Sequence, residues 1–73
     1  MKEMSVRQKE IYDFIVKYHE ENSISPSIRD ISVKMGMGDS TVAAHLNALK
    51  KKGYITQMDR IPRSIKIIPI PAA

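Results

Sequence analysis

Between Ser40 and Lys52 the chain gathers side chains that can meet both the base edges and the backbone of a nucleic acid. There are hydroxyls at Ser40 and Thr41, a carboxamide at Asn47 and consecutive lysines at 50, 51 and 52. A carboxamide can pair bidentately with adenine, hydroxyls bond to several bases, and the methyls of Thr41 and Ala44 can touch a thymine methyl. Spacing decides which of these point the same way. Val42, Leu46 and Leu49 fall at i, i+4 and i+7 and make the buried stripe of a helix. At roughly 100° per residue, Ser40, Ala44, Asn47 and Lys51 point most nearly opposite that stripe, with Thr41, Ala43 and Ala48 on its shoulders. The candidate base-reading set is therefore Ser40, Thr41, Ala43, Ala44, Asn47 and Ala48. A merely solvated helix face is the alternative for Asn47 and the alanines. His45 lies near the edge of the stripe and reads as a partly buried structural histidine rather than a base reader.

A second group has the chemistry of phosphate contact, because cations and hydroxyls around a groove fix register without reading sequence. Its members are Ser27, Arg29, Lys51 and Lys52, with Arg60 and Arg63 further on. Arg63 follows Pro62, which is expected to hold its side chain outward. The charge is unevenly spread: residues 27–63 carry seven positive and three negative side chains, whereas residues 1–26 are slightly acidic. A net charge of +4 permits a polyanionic partner without requiring one. The three lysines also sit where a helix ends before Gly53, so they have a structural explanation in the negative end of the helix dipole.

These residues need elements to hold them. Ser5 with Gln8 makes a capping box, and Ile11, Phe14, Ile15 and Tyr18 at i, i+3, i+4, i+7 predict a first helix over about 6–21. Asn22 to Pro26 is a turn. Ser27 with Asp30 caps a second helix over about 28–35, packed through Ile31 and Met35 and closed by Gly36. Asp39 or Ser40 is expected to cap the third helix, over about 40–52. After Gly53 the period changes: Tyr54–Met58 and Ser64–Ile67 read as two strands of a hairpin, with turn chemistry over 59–63 and Ile55, Ile65 and Ile67 covering the helices. The order helix, helix, short turn, helix, hairpin predicts a mainly α (α+β) winged helix-turn-helix over residues 1–68, with its third helix in a major groove and the wing at 59–63 on the backbone. Residues 69–73, Pro-Ile-Pro-Ala-Ala, read as a linker stub or tail.

Seventy-three residues hold one small domain. Without Cys it has neither a disulfide framework nor a thiolate metal site, and two histidines without a carboxylate cluster do not make one. No metal and no cofactor is expected. Ser64 and Lys66 share a strand face, but a peptidase dyad also needs a buried lysine and an oxyanion hole, so no catalytic residue is assigned. Short apolar runs and 27% charged residues exclude a membrane span, and the amino terminus lacks the apolar stretch of a secretory signal, which makes the cytoplasm the expected location.

The run from Ser40 to Gly53, together with Arg7, Gln8 and Ile11, the segment Ser25–Ile31, and Pro62 to Ile65, resembles the amino-terminal DNA-binding domain of LexA-type repressors, in its Gram-positive form. The likeness covers about residues 1–68. It implies a bacterial, nucleoid-associated repressor of DNA-damage (SOS) response genes that binds a palindromic double-stranded operator as a homodimer. In that family a separate carboxy-terminal domain carries dimer contacts and a Ser/Lys self-cleaving peptidase. That second domain has no counterpart in these residues, so this chain is expected to be non-enzymatic and, alone, monomeric. Departures from the family pattern are Val33, where a charged residue is common, Lys34, where a small apolar one is expected, and Ala43 and Ala44, which replace larger polar groups. Two rival readings share the fold: a standalone phage or mobile-element regulator, and a winged-helix module that binds protein. Cations at both the third helix and the wing favour DNA.

Overall fold

The structure, a computed structural model, describes residues 3–58, 61 and 63–68. Three helices, α1 (Val6–Asn22), α2 (Ile28–Met35) and α3 (Asp39–Lys51), precede two short strands, β1 (Ile55–Thr56) and β2 (Lys66–Ile67). The strands pair antiparallel with Ile55 opposite Ile67 and Thr56 opposite Lys66.

Each helix begins and ends where local chemistry allows. Ser5 Oγ accepts from Gln8 N–H at 3.2 Å while Ser5 N–H donates to Gln8 Oε1 at 3.0 Å, so two of the orphan donors of α1 are satisfied reciprocally. Ser27 and Asp30 repeat the arrangement on α2, both bonds at 3.0 Å. The two helices close on left-handed residues, Ser23 (φ 60°) and Gly36 (φ 67°). Ser32 donates its buried hydroxyl to Met37 O, so the turn between α2 and α3 is tied down from inside.

The start of α3 departs from expectation. Gly38, extended at φ −71° and ψ 156°, is the cap, and no side chain caps the helix. Asp39 and Ser40 already belong to the helix, so their side chains are released from the capping role the sequence suggested. At the other end Gly53 (φ 86°) sends its N–H to Lys50 O, and Tyr54 N–H reaches Leu49 O at 3.0 Å. This pair of bonds is a Schellman motif, and it turns the chain directly from α3 into β1.

The core is one cluster fed by every part of the chain: Ile11, Tyr12 and Ile15 from α1, Ile31 from α2, Val42, Leu46 and Leu49 from α3, and Tyr54, Ile55 and Ile65 from the hairpin. The expected α3 stripe is buried as phased. On α1 the phase is slightly different: Tyr12 is buried and meets Tyr54 edge-on at 5.8 Å, whereas Phe14 and Tyr18 are half-buried and pack on each other at 5.7 Å. Ile55 and Ile65 cover the helices as expected, while Ile67 is only half-buried. The ladder is shorter than the sequence pattern because the Ile65 N–H donates to Ser25 Oγ at 3.1 Å, and Ser64 Oγ accepts from Met58 N–H at 3.0 Å. Hydroxyls take donors that a longer hairpin would have paired.

Leu46→Ala removes a fully buried side chain from a core with no redundancy and should cost about 2–5 kcal/mol of folding free energy. Urea unfolding followed by circular dichroism checks this, and a loss below about 1 kcal/mol would mean that the cavity collapses freely.

Candidate nucleic-acid interface

The α3 face opposite the core is open. Ser40, Thr41, Ala43, Ala44, Asn47 and Lys51 are exposed, while Ala48 and His45 are half-buried. Beside this face runs a groove of about 540 Å³ with three walls. Ala43, Asn47 and Lys50 line it from α3, Ser27, Ile28 and Arg29 from the start of α2, and Gln57, Met58 and Ile61 from the wing side. Five of the residues singled out in the sequence, Ser27, Arg29, Ala43, Asn47 and Arg63, therefore meet in one groove. Ser40, Thr41, Ala44 and Lys51 stand on the open face outside it. Arg60 and Pro62 lie outside the described residues.

Three of the expected phosphate-contact cations, Lys52, Arg63 and Arg29, have partners within the protein. Lys52 donates from Nζ to Gln8 Oε1 at 2.6 Å and to Glu3 O at 2.9 Å, so it joins the end of α3 to the start of α1. Arg63, which the sequence reading held outward beside Pro62, also reaches protein acceptors while its side chain stays 43% exposed. Its Nη1 lies 3.0 Å from Asp30 Oδ2, 3.1 Å from Ser25 O and 3.2 Å from the Tyr18 hydroxyl. Nη1 carries two hydrogens for three acceptors, so the bonds are shared. The backbone at Arg63 is left-handed, φ 56°, which aims the side chain back at the helices. The sequence reading relied on the neighbouring proline and could not register that φ or the acceptors gathered some forty residues upstream.

Around this arginine the electrostatics are mutually supporting. Asp30 is held below its ordinary value by the Ser27 backbone N–H it accepts, with the Ser27 hydroxyl, the Arg63 guanidinium and the Tyr18 hydroxyl adding to the effect against the opposing cost of burial. Arg63 is pushed up by its bond to the Tyr18 hydroxyl and by Asp30. The same Asp30 thus caps α2 and anchors the wing. A further ion pair, Arg29 Nη2 to Asp39 Oδ2 at 3.4 Å, links the starts of α2 and α3 and is exposed on both sides.

Sequence reasoning missed Tyr18, Ser25 and Asp30 as wing anchors and Gln57, Met58 and Ile61 as groove residues. Met58 is 60% exposed and Ile61 47% exposed. Their apolar side chains on either side of Asp59-Arg60 were the available signal, obscured because Met58 also continues a strand pattern.

Three helices, a tight second-to-third helix turn and a two-stranded wing define a winged helix-turn-helix domain, with the exposed face of α3 and the adjoining groove as its presented surface. The family model of the LexA DNA binding domain matches residues 1–64, and the chain belongs to that family. Among its relatives, the LexA repressor of Thermosipho africanus is 44% identical over 97% of this chain and 36% of its own length. The LexA repressors of Pseudothermotoga lettingae and Staphylococcus epidermidis are 45% and 42% identical over 92% and 93% of the chain, and over 33% and 34% of their own lengths. The chain thus spans about a third of the relatives it matches, and the matched family is defined by DNA binding, not by catalysis.

Because the Asp30 value is depressed on folding, its stabilising contribution is fully present above the ordinary carboxylate value of about 4 and is lost as pH falls through the lower folded value. Melting temperatures of the parent and Asp30→Asn should therefore differ at neutral pH and converge in strong acid. A gap that stays constant with pH would show that the carboxylate charge contributes nothing. Arg63→Ala should lower the melting temperature although it removes no core atom, and an unchanged value would mean that the wing is held by Ile55 and Ile65 alone.

Proposed function

We propose that this domain binds double-stranded DNA sequence-specifically as the operator-reading part of a LexA-type transcriptional repressor. The observation that carries the reading is the shared groove, in which the exposed Asn47 and Ala43 of α3 stand beside the cationic start of α2 and the wing. A helix that enters a major groove presents such a face, while its flanks meet the sugar-phosphate backbone. In this reading Ser40, Thr41, Ala43, Ala44 and Asn47 read bases, with Ala48 marginal. Ser27, Arg29, Lys51 and Arg60 contact phosphates, and Lys52 and Arg63, which also join elements of the fold, do so through their remaining N–H donors.

The relatives are bacterial and are named as repressors, which supports repression; the wider role in this reading, a palindromic operator bound by two copies in the DNA-damage response, is our proposal from the resemblance. Such a role places the protein in the cytoplasm with the chromosome. No helix among the described residues is long and apolar enough to cross a membrane. Two weakly binding modules on one palindrome gain affinity through effective concentration, so a single copy of this domain should bind weakly and with strong salt dependence.

Asn47→Ala should cost about 1–3 kcal/mol on the duplex that the parent selects from a randomised pool, and far less on mixed-sequence DNA, with the melting temperature almost unchanged. Fluorescence anisotropy titrations on both duplexes measure this directly. Equal losses on the two would take Asn47 out of the base-reading set. Sedimentation of the domain should show a monomer at micromolar concentration.

A further inference from the structure

Asp39 carries a negative charge at the leading end of the helix that is proposed to approach a polyanion, and capping does not explain it. Gly38 occupies the cap and makes no side-chain cap hydrogen bond. Asp39 is instead the first residue of the helix and is followed directly by Ser40 and Thr41. Its side chain is half exposed, and its carboxylate lies 3.4 Å from Nη2 of Arg29, which is three-quarters exposed. Arg29 in turn lines the groove with Asn47 and Ala43. An acid in a first turn favours the helix dipole, but one facing phosphates opposes binding, so the pairing matters.

We propose that Asp39 is a selectivity residue that works by holding Arg29 away from the phosphate backbone. On a duplex that offers the carboxylate no donor, the arginine stays on Asp39 and neutralises no phosphate. Where the major groove presents an exocyclic amino group, that of cytosine above all, the carboxylate accepts from the base and Arg29 is released to the backbone. One ion pair thereby suppresses sequence-independent attraction and returns it at the right site. Such suppression acts on specificity more than on peak affinity. The pair is solvent-exposed and correspondingly weak, so exchanging partners meets little resistance.

This inference rests on the DNA-binding reading, and the test separates the two. Parent, Asp39→Asn, Asp39→Ser, Arg29→Ala and the Asp39→Asn/Arg29→Ala double variant are titrated with a mixed-sequence duplex, and with the duplex selected by the parent, across a salt series. Both neutral variants at 39 should bind mixed-sequence DNA about 3- to 10-fold more tightly than the parent. Their logarithmic salt slope should be steeper by about one, and they should discriminate less between the duplexes. In the Arg29→Ala background the same change should gain less than about 2-fold. An equal gain in both backgrounds would mean that Asp39 acts only through bulk charge, which overturns the inference. Parental binding that neither Asp39 variant alters overturns it as well and leaves the DNA-binding reading standing. A parent that binds no duplex overturns both.

Discussion

Everything in this domain depends on a single apolar cluster that no element could build alone. α2 contributes one buried apolar side chain, the hairpin three, and neither would persist in water by itself. Because Ile55 and Ile65 are buried among helix residues, the wing is part of the core and not an appendage. The orientation of α3 and the position of the wing are consequently set by the same packing, and the groove between them has a defined width before any ligand arrives.

Upon that packing lies a polar layer that fixes direction. Asp30 closes the first turn of α2 and faces Arg63; Ser25 accepts from Ile65 N–H through its hydroxyl and from Arg63 through its carbonyl; Tyr18 completes the ring of acceptors. With both charged side chains partly in solvent, each contact taken singly is weak. Their value lies in convergence, since a cap, a loop and a wing are referred to one guanidinium. Lys52 performs a similar office at the opposite end, where it ties α3 to the entry of α1.

The sequence was most readable where a signal is local. Both capping boxes, the left-handed Gly36 and the inward stripe Val42, Leu46 and Leu49 follow from spacings of three and four residues, and each stands in the structure as expected. Legibility failed where partners lie far apart. Tyr12 displaces Phe14 and Tyr18 from the centre because Tyr54, forty-two positions on, supplies an edge-on partner. Asp39 and Ser40 look like caps until the extended Gly38 takes that place. The phosphate-contact set was drawn from cations and hydroxyls by type, and type does not reveal that Lys52 and Arg63 also reach acceptors within the protein. The identities on the open face of α3 were legible because helical phase alone decides exposure there.

The placement of the aromatic residues has an optical consequence. The chain contains no Trp, and its three tyrosines all sit at junctions: Tyr12 and Tyr54 between α1 and the hairpin, Tyr18 beside Arg63. No Phe or Tyr stands on α3. Near-ultraviolet absorption and emission from the tyrosines therefore report on the seating of the interior and of the wing anchor, and not on the open face of α3. A change in tyrosine signal when a duplex is added would register a rearrangement inside the domain, not a base stacked against it.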